Sequence, residues 1–372
     1  MRMMTGEETL RVREPLFIAA GTRGSKRVGG REQAFVSIRE RTSVEHVVAA
    51  ALEASSVGPI YVWGDRERLE ARLGWAVKRA EARGIGLHVV EEGNHFVENF
   101  VMTILRHLHG MRGISLDPGL LVEPLGARHW GLWRELSQEA SIAGLRVNLL
   151  TSDLPLIRPE EIDCLVSGKR QDAHLVLGRS VRAAIDTAVA RCDEPFQYDR
   201  AVKNYYSFLS GDEPFELIVN NFLAGQPFRV PRFIWNLAGH LFNNRTIIEG
   251  GRFNLKKIKN NVVFVKSLFS KARQDDSEGI GHVRKNYYQM LKAFSFLVRA
   301  YFIIVKNKDA NRKFRDLAVL EERIRTLTGM TLTLHISDCA GPALDIDTEY
   351  EIEYIERHFE KLRNGDSPRS LA

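Results

Sequence analysis

Cysteine is scarce in this chain: Cys164, Cys192 and Cys339 are the only three among 372 residues. They are odd in number and far apart, which argues against a disulfide framework and against a zinc cluster. A reducing cytoplasm suits such a chain. A secretory leader is not expected either, because Met1–Glu14 is charged and holds no apolar core. The apolar segment Met290–Val305 falls short of the roughly 20 residues that a bilayer span needs. It also carries Lys292 and Arg299. Internal repeats and low-complexity tracts are missing as well. What the chain does have is length, enough to bury a large core and to form two domains.

The most informative stretch is Leu149–Ile157, LLTSDLPLI. Leu149 and Leu150 ask for a core, whereas Asp153 asks for water, a cation or a partner. Pro155 cannot donate to a sheet ladder, so a strand must stop there. Pro159 then opens a helix, with Ile162, Leu165 and Val166 at helical spacing. A buried parallel strand that delivers a carboxylate at its C-terminal end is where open α/β sheets bind ligands. The alternative is that Asp153 serves only as a turn or capping residue.

A second segment begins with the apolar run Leu16–Ala20, suited to a first buried strand. Gly21, Thr22, Arg23, Gly24, Ser25, Lys26 and Arg27 follow, then Gly29, Gly30 and Arg31. Small residues let a backbone approach an anion, and Lys and Arg add charge and paired phosphate contacts. The loop lacks the Gly-x-Gly-x-x-Gly spacing of dinucleotide sites and the Gly-Lys-Ser/Thr ending of a P-loop. It is therefore either a phosphate cradle of another kind or a solvated loop. A third segment, Ala343–Thr348, reads ALDIDT. Thr348 and Glu351 fit a capping box, with Ile352, Ile355, Phe359 and Leu362 continuing at helical spacing. Asp345 and Asp347 precede that helix, where carboxylates favour the dipole or bind a metal.

The first half of the chain alternates strands and helices. Thr42 and Glu45 make a capping box before the apolar face Val44, Val47, Val48, Ala51 and Leu52. Val57–Trp63 and Ile85–Val90 read as strands, with a charged surface helix over Asp65–Arg83 between them. This order argues for a mostly parallel sheet covered by helices on both faces. His95, in the turn after the third strand, reads as a surface histidine. The middle of the chain differs. From Phe196 to Phe314 lie 21 of the 33 aromatic residues, a density expected of a separate packed core. A mostly helical form is expected there.

Residues 250–315 hold 16 Lys and Arg against Asp275, Asp276, Glu278 and Asp309, a net +12 inside a chain of net +6. That asymmetry calls for an anionic partner or a solvated face. The anion can be a phosphorylated substrate or an anionic membrane surface. Nucleic acid is disfavoured, because no recognisable nucleic-acid motif accompanies the charge. Met290–Val305 fits an interfacial helix or a buried helix of the second domain. Asn220, Asn221, Asn243, Asn244 and Arg245 suit either a polar substrate or helix caps.

Taken together, the three segments resemble the nucleotidyltransferases of the glycosyltransferase-A-like fold. Within it they are most similar to molybdenum-cofactor guanylyltransferase-like and sugar-phosphate cytidylyltransferase-like proteins. The family opens with Ala-Ala-Gly-x-Gly-Thr-Arg, shortened here to Ala19, Ala20, Gly21, Thr22, Arg23 and Gly24. Its Asp-x-Pro-Leu element matches Asp153, Leu154, Pro155 and Leu156. Its closing Asp-x-Asp-Thr-Pro-Glu-Asp corresponds to Asp345–Glu351, without the proline. The likeness covers about residues 14–185 and 340–365. The family's phosphate-contacting Lys after the glycine loop is replaced by Gln33, so Lys26, Arg27 or Arg31 would have to supply that charge.

The resemblance implies a Rossmann-like nucleotide-binding core over 1–195, completed by 331–372, with a basic helical insertion over 196–330. It implies Mg²⁺ held by Asp153 and Asp347, and Arg23, Lys26 and Asp153 as catalytic residues. Nucleotide contacts would come from Ala19, Ala20, Gly21, Thr22, Arg23, Gly24, Gln33, Gly93 and Asn94. The reaction would move NMP from an NTP, CTP or GTP by resemblance, to a phosphorylated small-molecule acceptor. The protein would be cytoplasmic, with a peripheral membrane contact through 250–315. Two other readings stand beside it: glycosyl transfer from a nucleotide-sugar, disfavoured because Thr151-Ser152-Asp153 lacks a first Asp, and a non-catalytic nucleotide-binding protein.

Overall fold

The computed structural model describes residues 13–21, 27–28, 30–111, 114–169, 172–201, 205–210, 213–230 and 315–364, with scattered positions between 232 and 296. Eight strands form the central sheet: β1 (Glu14–Ala20), β2 (Val57–Gly64), β3 (Leu87–Glu91), β4 (Val147–Thr151), β5 (Leu175–Val181), β6 (Tyr205–Ser210), β7 (Glu213–Gly225) and β8 (Leu332–Ser337). Their spatial order is β8-β5-β7-β4-β1-β2-β3, with β6 pairing the first half of β7. The row is parallel except at β7, which runs antiparallel to β4, β5 and β6.

Apolar residues on both faces explain why the middle strands are inside. Leu16 and Ile18 of β1 point into one core, with Leu150, Val176 and Phe222, under α1 (Ser43–Glu53) and α2 (Arg66–Ala82). Phe17 points the other way, with Tyr61, Trp63 and Leu149, under α3 (Phe96–His109) and α4 (Ala127–Leu136). Each such fully buried side chain contributes on the order of 1.5–3 kcal/mol of burial. α5 (Pro159–Ser167) covers the first face with Ile162 and Leu165. A third cluster joins α6 (Arg182–Val189) and α8 (Glu349–Arg363) through Ile185, Tyr354, Ile355 and Phe359. A further helix, α7 (Leu317–Thr328), precedes β8. The fold is therefore α/β, a mostly parallel Rossmann-like sheet with helices on both faces.

The expected caps are present. Thr42 N–H donates to Glu45 Oε2 at 2.8 Å, closing the box that starts α1. Pro159 stands at the first turn of α5, as its missing N–H allows. One expectation is corrected. The helical region was to begin at residue 196, yet 205–225 form β6 and β7, two strands of the core sheet. Positions 232, 234, 235, 263, 292, 295 and 296 are helical. The remainder of the basic segment 250–315, and most of Met290–Val305, lie outside the described residues. No helix among the described residues is long and apolar enough to cross a membrane.

One carboxylate stitches α5 to the α1–β2 turn. Asp163 accepts from Ser55 N (3.0 Å), Ser55 Oγ (2.9 Å), Ser56 N (2.8 Å) and Ser56 Oγ (2.6 Å). Burial pushes its carboxyl up, but the bonds from Ser56 and Ser55 outweigh that and the net shift is downward. Asp163→Ala is expected to lower stability by about 1–2 kcal/mol in urea unfolding. Because the folded-state pKa lies below the unfolded value, this contribution is full above about pH 4–5 and fades as pH falls through the folded pKa. The difference between wild type and variant should therefore shrink on acidification.

Candidate active site

The C-terminal ends of β1, β2, β3 and β4 open on one edge of the sheet, where ligands bind in folds of this kind. β1 delivers Ala19 and Ala20, level with Trp63 and Gly64 of β2, and then Gly21. A Cβ on Gly21 would stand 2.8 Å from Glu92 Oε2 and 3.9 Å from the Trp63 ring. A side chain here would press on the Glu92 carboxylate, which glycine avoids. Glu92 is buried and comes off β3, its N–H donating to Gly64 O at 3.0 Å. Thr22, Arg23, Gly24 and Lys26 lie outside the described residues.

β4 delivers Thr151, level with Ala19. Ser152 N–H donates to Ala19 O at 3.0 Å, and the Thr151 hydroxyl donates to Asp153 Oδ1. Asp153 is half-buried. Its backbone carbonyl accepts from Ile346 N–H at 3.0 Å, which lays the Asp153 loop against the residue before Asp347. The two carboxylate-bearing residues are neighbours in space, although almost 200 positions apart in the chain.

Asp347 is held by Glu351 and by Gln33. Its N–H donates to Glu351 Oε2 at 2.7 Å, part of the capping box in which Glu351 N–H donates to Thr348 Oγ1 at 3.2 Å. Gln33 Nε2 donates to Asp347 Oδ1 at 3.0 Å and also to Ile346 O. The residue standing where the resembling family has a lysine thus positions the second aspartate. Asp345 is bonded across the sheet end by Asn221 Nδ2 at 2.9 Å.

Glu161 ties both loops together. It sits fully buried at the third position of α5. One oxygen accepts from Arg158 N–H and the other from Gly341 N–H, both at 3.0 Å. Arg158 belongs to the loop after Asp153, and Gly341 to the loop before Asp347. Burial pushes the Glu161 carboxyl up, against the pull of Arg158 and of the Gly341 N–H. This role was hidden in the sequence, since the residue three positions ahead is Arg158 rather than Ser or Thr.

Gly93 and Asn94 use their N–H groups inside the turn. Gly93 N–H donates to Asn99 Oδ1, and Asn94 N–H to Glu98 Oε2 at 2.7 Å. His95 is exposed and caps α3, accepting from Glu98 N–H at 3.1 Å. Among the described residues, no three His, Cys, Asp or Glu side chains converge as a protein-only metal cage.

No protein-family profile matches the chain, and no curated protein sequence matches it. Solved structures do. A hypothetical transferase from Thermus thermophilus aligns over 92% of this chain and 100% of its own, at 14% identity and a TM-score of 0.48. A CMP:2-keto-3-deoxy-manno-octonic acid synthetase complexed with CTP aligns over 68% of this chain and 86% of its own, at 13% identity and a TM-score of 0.33. A 4-diphosphocytidyl-2C-methyl-D-erythritol synthase from Anaerococcus prevotii aligns over 94% and 96%, at 8% identity and a TM-score of 0.38.

The clamp leaves no room beside Gly341. A Cβ there would stand 2.9 Å from Ile157 Cα and 3.0 Å from Leu156 O, both backbone atoms. Gly341→Ala is expected to cost about 1–3 kcal/mol of stability, the usual scale of forced overpacking. Thermal unfolding with matched circular dichroism spectra measures it.

Proposed function

We propose that the protein is a magnesium-dependent nucleotidyltransferase, moving NMP from an NTP to a phosphorylated small-molecule acceptor and releasing pyrophosphate. The observation that carries the reading is the meeting of the Asp153 and Asp347 loops beside Gly21, at the ligand-binding edge of the sheet. The donor set fits the ion: magnesium takes hard oxygen ligands, commonly one or two carboxylates completed by substrate phosphates. Asp153 and Asp347 would hold it, and it would supply charge neutralisation at the α-phosphate.

The rest falls to the chain. Thr151 and Gln33 hold the two carboxylates in place before substrate arrives. Backbone N–H groups of Gly21, Thr22 and Gly24 would cradle phosphates, and Arg23 and Lys26 would pair with the β- and γ-phosphates. An acceptor phosphate oxygen attacks the α-phosphorus in line. The bond to the bridging oxygen breaks, and pyrophosphate carries that electron pair away. Position and electrostatics supply most of the acceleration in such a step. By resemblance the nucleotide is CTP or GTP.

The test incubates the full chain with each of the four triphosphates, Mg²⁺, and a panel of sugar and lipid phosphates, reading pyrophosphate. Asp153→Asn is expected to lower turnover by on the order of 10²–10³-fold or more while leaving the circular dichroism spectrum unchanged. Wild-type-like turnover by that variant would reject the assignment. Chelation with EDTA is expected to abolish pyrophosphate release, and added Mg²⁺ to restore it. Release of a nucleoside diphosphate from a sugar donor would instead point to glycosyl transfer, and nucleotide binding without turnover to a non-catalytic protein.

A further inference from the structure

β7 outruns β4. The last pairs between them are Leu223–Leu149 and Phe222–Leu150, so Asn221 comes level with Thr151 just where β4 turns away to Asp153. Farther along, β6 takes over the same edge of β7, pairing Tyr205 with Ile218. On the opposite edge the register with β5 shifts between Val219 and Leu223, and Arg179 pairs with Val219. Side chains alternate between faces along a strand. Asn221 therefore shares the face of Leu223, Thr151 that of Leu149, and Arg179 that of Leu177. Thr151, Asn221 and Arg179 make a polar row across three adjacent strands, starting at the hydroxyl that holds Asp153.

Arg179 is out of keeping with a structural arginine. Its Nη1 donates to Gly178 O at 2.6 Å. Among the described residues no carboxylate forms an ion pair with it. Burial depresses its pKa to about 10, which still leaves it cationic at neutral pH. The side chain is half-buried, and a cation that meets no acid among the described residues suits a place where a ligand brings the opposite charge. The planar fork matches two oxygens of one phosphate. Asn221, bonded to Asp345, stands on the strand between those of Thr151 and Arg179, two residues along β7 from Arg179's partner Val219.

We propose that Arg179, with Asn221 beside it, binds a phosphate group of the acceptor. The acceptor side of the site would then run along β7 toward β5, opposite the nucleotide side at Gly21. The proposal rests on the nucleotidyltransferase reading for what lies next to the bound phosphate. It does not need that reading for the anion site itself.

The experiment uses the full chain with Arg179→Gln and Arg179→Lys. Glycerol 3-phosphate and ribose 5-phosphate are the probes, glycerol and ribose the phosphate-free controls. Titration calorimetry is run with and without CTP or GTP and Mg²⁺. Wild type is expected to bind a phosphate ester and not its control. Arg179→Gln should weaken that binding about tenfold or more, and Arg179→Lys should recover part of it. Nucleotide affinity should stay within about twofold in both variants, because the row lies apart from Gly21. The thermal midpoint of Arg179→Gln should not fall, since among the described residues no ion pair is lost with the guanidinium. Equal phosphate-ester binding by wild type and Arg179→Gln overturns the proposal, as does absence of ester binding by wild type. A lowered midpoint with unchanged ester affinity would assign Arg179 a structural role and also overturns it. The nucleotide arm reads the assignment of the site, and the ester arm reads Arg179 alone.

Discussion

The two hydrogen bonds of Glu161 are the constraint on which the geometry of the site depends. Its carboxylate is buried, so its alternatives are poor: it must be paired inside the protein or protonated. The pairing it finds uses one N–H from each of the loops that carry Asp153 and Asp347. A carboxylate between two backbone donors fixes both, because moving either loop would leave a buried acceptor unsatisfied. The Ile346–Asp153 backbone bond then sets the register between the loops. Gln33 and Thr151 trim the orientation of the two side chains. The arrangement is preorganised by parts lying behind it, which is how a charged site is kept in shape.

The reversed strand β7 has a second effect. In a wholly parallel sheet every strand would present its C-terminal end at the ligand edge. β7 instead enters that edge from outside and crosses it with the side chains of its middle, Asn220 and Asn221. The edge thereby gains the Asn221 amide, carried on a strand rather than on a loop. Gly21 and Asp153 sit at strand ends, whereas Asn221 and Arg179 sit within strands.

Much of this was legible in the sequence. The capping boxes at Thr42–Glu45 and Thr348–Glu351, the opening of α5 at Pro159 and the strands around Leu16–Ala20 and Val57–Trp63 all followed from spacing. A shared role for Asp153 and Asp347 came from family resemblance and not from spacing; the Ile346–Asp153 backbone bond lays their loops side by side. The β6–β7 pair was misread as the start of a helical region. Aromatic density announces a core without saying which element carries it, and Pro214 with Asn220-Asn221 interrupts the alternation of a strand. Glu161 escaped because the bonds that join the two loops come from backbone N–H groups, which no side-chain pattern records. Gln33 looked like a lost lysine, and only its contact with Asp347 shows the different use made of that position.

The bond between Ile346 and Asp153 joins residues encoded far apart. During synthesis, the glycine loop and the first aspartate emerge long before the segment that completes them. Residues 341–351, which bring Asp347 against the Asp153 loop, follow every strand of the central sheet in the chain.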